Sequence, residues 1–407
     1  MLMSVIFFLF ISLAITTGLV SPSVREIKNT ATNLNSKKSY FLAESGVEDA
    51  FYRILQNKTI GTSETITLDS NSVNTTITTL LGNVKQIVSL GDVSGNQRTI
   101  GLKLKTGEGT VFKYGTQAGQ GGFVFQNNSH VNGSLYSNGN IEGSNGAYIT
   151  GDAFVAGDTG SISNMRVGYG GTGSAHAHNI TNSTVTGVIY CQTGSGNNKS
   201  CDTSQADPVA QDLPILDSDI AQWKTDATNG GVTDGNVVIS SPATIGPRKI
   251  IGNLTVNDTL TVAGTVYATG NVSIDGTVKL DSSYGAISGI IMSDGLISIG
   301  NGVIFQDSGT AGSYILFLSN STCDDSISAS PCFGKNAIEV SNNSDISIVN
   351  AQKGTVYFSN NAAVKESVGK KIELKNNVGI SYGSGMINVD FTSGPSGSWT
   401  VDSWGEK

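Results

Sequence analysis

Charge is scarce in this chain. Only 14% of its 407 residues are Asp, Glu, Lys or Arg, with 24 basic against 32 acidic side chains and a net charge of -8. No Lys/Arg cluster occurs in the distal three quarters. Nucleic-acid affinity is carried largely by basic side chains, so nucleic acid is excluded as a partner. There are three histidines, His130, His176 and His178. The pair in SAHAHN would face one side of a strand, but two imidazoles need further ligands, and the bland reading is a polar strand. Asp324-Asp325 and Asp217-x-Asp219 lack the spaced acids and glycine of a calcium loop. The run GYGGTGSAH from Gly168 lacks the lysine of a phosphate loop and the strand-then-helix context of a dinucleotide site. No metal and no cofactor are expected. Arginine from residue 116 onward is limited to Arg166 and Arg248. Polysaccharide lyases and hydrolases on such scaffolds pair clustered acids with basic groups in a groove, so an enzyme is not expected either.

Cysteine is also sparse, with four residues, yet their placement is specific. Cys191 and Cys201 flank QTGSGNNKS, and Cys323 and Cys332 flank DDSISASP. Of three connectivities the sequential one closes two short loops, which suits an oxidising compartment. Zinc sites favour tighter spacing and added histidine. Each closed loop would stabilise the fold by about 2–3 kcal/mol.

What the chain has in abundance is glycine and small polar residues, interrupted by a ladder of aliphatics. Leu254, Leu260, Val266, Val272 and Val278 recur every six residues, and Val256, Val262, Ala268, Ile274 and Leu280 follow each by two. Gly252, Asp258, Gly264, Gly270 and Gly276 keep the same period. Each unit is a turn residue, an inward aliphatic, an outward polar and a second inward aliphatic. Two aliphatics cannot bury themselves alone, so the units must stack into coils with a continuous interior. The fold class predicted is mainly β: a parallel β-helix, with irregular intervals past Ser283 favouring the right-handed form. Disordered chains lack such a ladder.

The coils divide into two runs. A first run, 116–205, carries Gly133, Gly139, Gly146, Gly151 and Gly157, with Leu135, Ile141, Tyr148 and Phe154 expected inward. A helical insertion, 206–235, is capped by Asp217 or Ser218, carries Ile220, Trp223 and Ala227, and ends at Asn229-Gly230-Gly231. It is expected to cover one face or end of the solenoid. The main run, 236–407, ends in SGSWTVDSWGEK, where Trp399 and Trp404 are expected to seal the last coil.

The N-terminal part differs in kind. Met1–Val20, MLMSVIFFLFISLAITTGLV, has no charge. Twenty helical residues rise about 30 Å, which predicts a transmembrane segment over 1–22, kinked near Pro22. From 23 to 57 an amphipathic stalk helix carries Val24, Ile27, Ala31, Leu34 and Phe41 on a narrow stripe. Val47, Ala50, Phe51, Ile54 and Leu55 form a broader stripe that should dock on something. The candidate is 58–115, where ETITLD, TTITTLL, VKQIVSL and RTIGLKLK alternate as a small antiparallel sheet, turned at Ser94-Gly95-Asn96.

The run SKKSYFLAESGVEDAFYRIL, Ser36 to Leu55, behind an apolar helix broken near proline, resembles the N-terminal region of type IV pilin-like proteins, in particular the PilX-like pilus-assembly group. Tyr40, Ala43, Glu44, Gly46, Glu48, Ala50 and Leu55 carry the likeness, which covers about the first fifth of the chain. The solenoid is similar to polymer-forming, bactofilin-like β-helices of bacterial surface proteins. The resemblance implies a membrane-anchored or pilus-associated surface protein, a minor-pilin-like adhesin whose partners are pilus subunits, other copies of itself, glycans or other cells. A glycan-binding or carbohydrate-active β-helix and a self-assembling surface filament are the alternatives. Prepilins carry a basic leader, a Gly-Phe-type junction and an early glutamate, and none precedes Val5; either the protein is anchored without processing and does not join a filament, or, as is expected here, the frame upstream of Met1 encodes the basic residues and the Gly-Phe-like junction. Arg25, Lys28, Lys37 and Lys38 all follow the apolar segment, which taken alone places the head in the cytoplasm. The paired cysteines argue for the opposite side, and an extracytoplasmic head is expected.

Overall fold

The structure, a computed structural model, describes residues 2–55, 60–68, 71–80, 84–106, 114, 116–382 and 399–407. The chain forms two compact units, Met1–Thr106 with Trp399–Lys407, and Gly107–Ser398.

The first unit is built on one helix, α1 (Leu2–Leu55), with Pro22 inside it. Ala43, Val47, Ala50 and Ile54 recur at intervals of four, three and four, so they share one face. That face is buried on Ile77, Ile87, Ile100, Leu102 and Leu104 of an antiparallel sheet. The approach is close at Gly46, where a Cβ would lie 2.4 Å from Ser89 Oγ and 2.6 Å from Thr75 Oγ1. Only glycine permits that contact. The sheet runs β1 (Ser63–Leu68), β2 (Asn71–Leu80), β3 (Val84–Val93), β4 (Asn96–Thr106) and then the C-terminal strand Trp399–Glu406. Ser94 and Gly95 both take positive φ between β3 and β4, as a two-residue hairpin turn requires.

The C-terminal strand corrects an expectation. It does not seal the last coil: it pairs antiparallel with β4, Trp404 opposite Leu102 and Glu406 opposite Ile100. The domain from 236 therefore does not run to 407. The physical reason is that β4, with Ile100, Leu102 and Leu104 all 0% exposed, would otherwise leave an open edge beside the core of the first unit. Arg98 and Glu406 add an ion pair at 2.7 Å, half exposed and so of small value.

The transmembrane segment is corrected as well. Among the described residues no helix is long and apolar enough to cross a membrane. The side chains at 17, 19 and 21 lie outside the described residues. What the structure shows is an exposed apolar helix end, with Phe7 66%, Phe8 73%, Leu9 63% and Phe10 68% accessible.

The second unit is a parallel β-solenoid. Leu254–Val256 pairs with Val272–Ile274, Leu260–Val262 with Val278–Leu280, and Arg248–Ile250 with Val266–Ala268. Three hexads thus make one coil of eighteen residues with three faces. Both aliphatics of every hexad from Leu254 to Leu280 lie in one buried cluster. In the first run Leu135 and Ile141 are inward, but Tyr148 and Phe154 are not. Their neighbours Ile149, Ala153 and Val155 fill the interior instead. The turns there are irregular, and a slip of one residue exchanges the two faces of a strand.

The two runs form one rod, joined out of sequence order. The first strand of the first run, β5 (Thr116–Gln126), pairs with Ala363–Lys375, near the end of the second run. His130–Asn132 likewise pairs with Gly379–Ser381. The chain therefore enters the rod at an internal coil and fills it to Cys201. It then crosses to the far end, restarts at Val232, and returns to the coil beside the one where it entered. Gly122, with φ +71° and a would-be Cβ 2.0 Å from Asn140 O, makes the bend in β5 that this joint needs. Corner asparagines cross the joint as well. Asn145 donates to Asn127 at 2.9 Å, Asn127 to Asn376 at 2.5 Å and Asn376 to Asn360 at 2.7 Å. Asn127, Asn145, Asn360 and Asn376 all have positive φ, which asparagine tolerates better than other non-glycine residues.

Candidate functional site

The richest surface of the rod is the face crossed by the segment between Cys201 and α2 (Asp217–Asn229), a strap that runs over successive coils. Asp207 Oδ2 meets His178 Nδ1 at 2.8 Å, and Pro208 O accepts from Gly157 N at 2.9 Å. Asn138 exchanges two bonds with Gln211, and Gln117 Nε2 donates to Asp212 O at 2.9 Å. Ile215 exchanges two bonds with Gln352. Side chains on the rod thus satisfy the strap's backbone, which keeps an extended segment in place without a sheet ladder.

At the end of the strap Leu216 is the N-cap of α2, and the Asp219 carboxylate accepts from its backbone N–H at 3.2 Å. The cap is therefore one residue earlier than expected, and Asp219 supplies the reciprocal bond. Ile215, Ile220, Trp223 and Ala227 cover the outward aliphatics Ile290, Met292, Leu316, Leu318, Ile348 and Val368. These strands carry apolar residues on both sides, which a solenoid tolerates only where something covers its outside. Lys224 forms an ion pair with Asp294, which also accepts from the Tyr267 hydroxyl. Burial alone would raise the Asp294 carboxyl, yet the Lys224 and Tyr267 hydrogen bonds hold it below the ordinary aspartate value. Burial and the Asp294 bond push the Tyr267 hydroxyl well up.

Two aromatic columns climb the outside of the first run. Tyr136, Phe154, His176 and Tyr190 follow one another at ring separations of 5.9, 4.5 and 4.5 Å. His130, Tyr148 and Tyr169 follow at 4.6 and 4.8 Å, with the Arg166 guanidinium 4.2 Å from the Tyr169 ring centre. Coil spacing of 4.7–4.9 Å sets this stacking. Inner rings spend both faces on each other and present only edges outward. The first column lies beneath the strap, where the Tyr136 hydroxyl donates to Val209 O. Burial pushes the His176 imidazole below its ordinary value, Asp152 and Gln205 pulling the other way. His176 and His178 have different partners and do not converge. No cluster of three His, Cys, Asp or Glu side chains that could hold a metal occurs among the described residues.

The cysteines pair as Cys191–Cys201 and Cys323–Cys332. The first pair closes one end of the rod. There Asn197 Oδ1 accepts from Ser183 N and its Nδ2 donates to Ile180 O, while Asn198 makes the same two bonds with Val185. Side-chain amides so replace the next coil. The other end is built differently: among the described residues Val232–Asp234, Val237–Ile239 and Ala243–Ile245 each pair on one side only, and Val232 and Val238 are exposed. Asp324 and Asp325 lie in the second clipped loop, where the Ser326 hydroxyl and then its backbone hold the Asp324 carboxyl below its usual value. Asp217 pairs with Lys353 at 2.9 Å. Neither acidic pair shows ligand geometry.

Signals for the strap were weak in the sequence. DPVAQDLPILDS has the composition of a linker, and its anchors, among them Gln117, Asn138, His178 and Gln352, sit on distant coils.

Comparison with known proteins gives little. No family model matches the chain, and no curated protein matches it. Among solved structures, a competence-associated pilin ComZ from Thermus thermophilus is similar at 10% identity, over 92% of this chain and 97% of that one, with a TM-score of 0.27. A score that low carries no argument about this chain.

Proposed function

We propose that this chain is a type IV pilus-related cell-surface protein of minor-pilin type, whose work is display and adhesion rather than chemistry. One observation carries the reading: α1 is continuous from Leu2 to Leu55, its last third docked on an antiparallel sheet and its first third exposed and apolar. An exposed apolar helix end needs an apolar medium, either like helices of pilus subunits or lipid. The resemblance of Ser36–Leu55 to pilin-like proteins agrees with this division. The solenoid is the displayed part, and its Asn/Ser/Thr exterior is the contact surface for other cells, glycans or neighbouring copies. Two disulfides suit an extracytoplasmic head. Self-association is a second reading, favoured by the coil at 232–245 whose strands pair on one side only.

The test is surface proteolysis of intact cells carrying the full chain, beside a chain lacking residues 2–21. The full chain should be cleaved in its head and remain with the cell or its filaments. The shortened chain should be recovered free, folded and β-rich. A head protected from protease in intact cells, or a shortened chain that stays cell-bound, contradicts the proposal.

A further inference from the structure

Glu366 has an unusual place for a carboxylate. It is 0% exposed, and neither Oε1 nor Oε2 has a hydrogen-bond partner among the described residues. Its register neighbour is Ile348, and Val368, two residues along the same strand, packs in the apolar cluster with Ile348, Ile215, Ile220 and Trp223. Asn350, the register neighbour of Val368, is 1% exposed and also lacks a partner at both Nδ2 and Oδ1 among the described residues. Diagonal positions on adjacent strands lie about 7–8 Å apart, so the two unpaired polar groups share one small patch of this face. That patch adjoins the place where the strap passes into α2, held by Gln117 at Asp212 and by Gln352 at Ile215.

We propose that Glu366 is a protonation-controlled latch: its neutral carboxyl allows the strap and α2 to lie closed over the rod, and its ionisation loosens them.

The argument is one of desolvation without compensation. A buried ionised carboxylate needs a cation or several donors, and an isolated one takes up a proton instead. Among the described residues, the charged and titratable groups on the surrounding elements do not supply a partner. Lys365 stands over the Tyr314 ring at 5.2 Å, and Lys353 is engaged with Asp217. Asp212, Asp217 and Asp219 on the strap side carry the wrong charge to help. The Tyr382 hydroxyl, itself pushed up by burial and then by the nearby Glu366, does not hydrogen-bond it among the described residues. Burial accordingly pushes Glu366 well above the ordinary glutamate value. The sign follows. The closed state's advantage is complete below the ordinary glutamate range and is lost as pH rises through the raised folded value. Acidification closes the strap; neutral or alkaline medium loosens it. The inference does not depend on the pilus reading, since it concerns only the second unit.

Hydrogen exchange of the full chain tests it, with rates corrected for the intrinsic effect of pH. Amides in 212–229 should lose protection about tenfold or more between pH 5 and pH 8, the scale expected when a buried carboxyl ionises. Glu366→Gln should abolish that dependence, melt about 5 °C higher than the natural chain at pH 8, and match it near pH 4.5. Glu366→Leu should give the same flat profile and serves if the glutamine variant does not fold. Parallel pH profiles for the natural chain and either variant, or a loss of protection at every pH, would overturn the latch.

Discussion

Phe123→Ala should destabilise the rod by about 3–5 kcal/mol, the usual cost of removing a fully buried aromatic ring. Phe123 is 0% exposed and stacks on Phe125 with ring centres 5.7 Å apart. The size of the effect is ordinary for a core residue; its location is not. The register neighbour of Phe123 is Ile372, also 0% exposed and 249 positions away in the chain. A double substitution with Ile372→Ala should therefore be non-additive by about 0.5–3 kcal/mol, as for side chains in direct contact. Chemical denaturation of the two single variants and the double variant measures this. If the first run ended against some other surface, the two costs would add.

Removing Trp399–Lys407 should unfold the first unit and leave the rod standing. The strand closes β4, whose inner residues Ile100, Leu102 and Leu104 are wholly buried, so its loss opens both a hydrogen-bonding edge and a core. A loss of only ~2 kcal/mol in a unit this small moves its midpoint by about 10 °C, and more is at stake here. Calorimetry should show the transition of the first unit lowered by at least that amount or absent. The solenoid transition should not move. The reverse pattern, a lowered solenoid transition with the first unit intact, is what a cap at Trp404 would produce.

The hexads between Leu254 and Leu280 were legible because a six-residue period with two aliphatics per unit admits only one interior, and the structure buries all ten. The joint between runs was not legible. A repeat states what a coil needs above and below it, but not which coil comes next, so Ile372 beside Phe123 could not be read from either segment alone. Tyr148 and Phe154 were misplaced for a related reason: where the turns lose their period, an aromatic beside a small residue looks like the natural occupant of the core. The outward columns reverse this, with stacking supplying the burial that the interior does not. The asparagines show a signal that was present and unused. Asn127 and Asn145, or Asn343 and Asn361, stand eighteen apart, the length of one coil, and each takes a left-handed corner. Trp399–Glu406 failed because the need it meets belongs to β4, nearly 300 residues earlier. Glu366 carried no signal in the sequence: beside Lys365 one of the two charges must face away from the other on a plain strand, and which side is dry depends on what packs over it in the fold.

The central claim is the joint, and a crosslink tests it most directly. Asn132 and Ser381 are exposed, lie opposite each other in adjacent coils and are hydrogen-bonded at 2.9 Å. Adjacent strands stand about 4.8 Å apart, within reach of a disulfide after a modest adjustment of side chains. In the folded chain carrying Asn132→Cys and Ser381→Cys, mild oxidation should close a 249-residue loop, seen as a faster-migrating species on a non-reducing gel that reduction reverses. Two freely alkylated thiols at these positions, in a chain whose native disulfides are intact, would contradict the account.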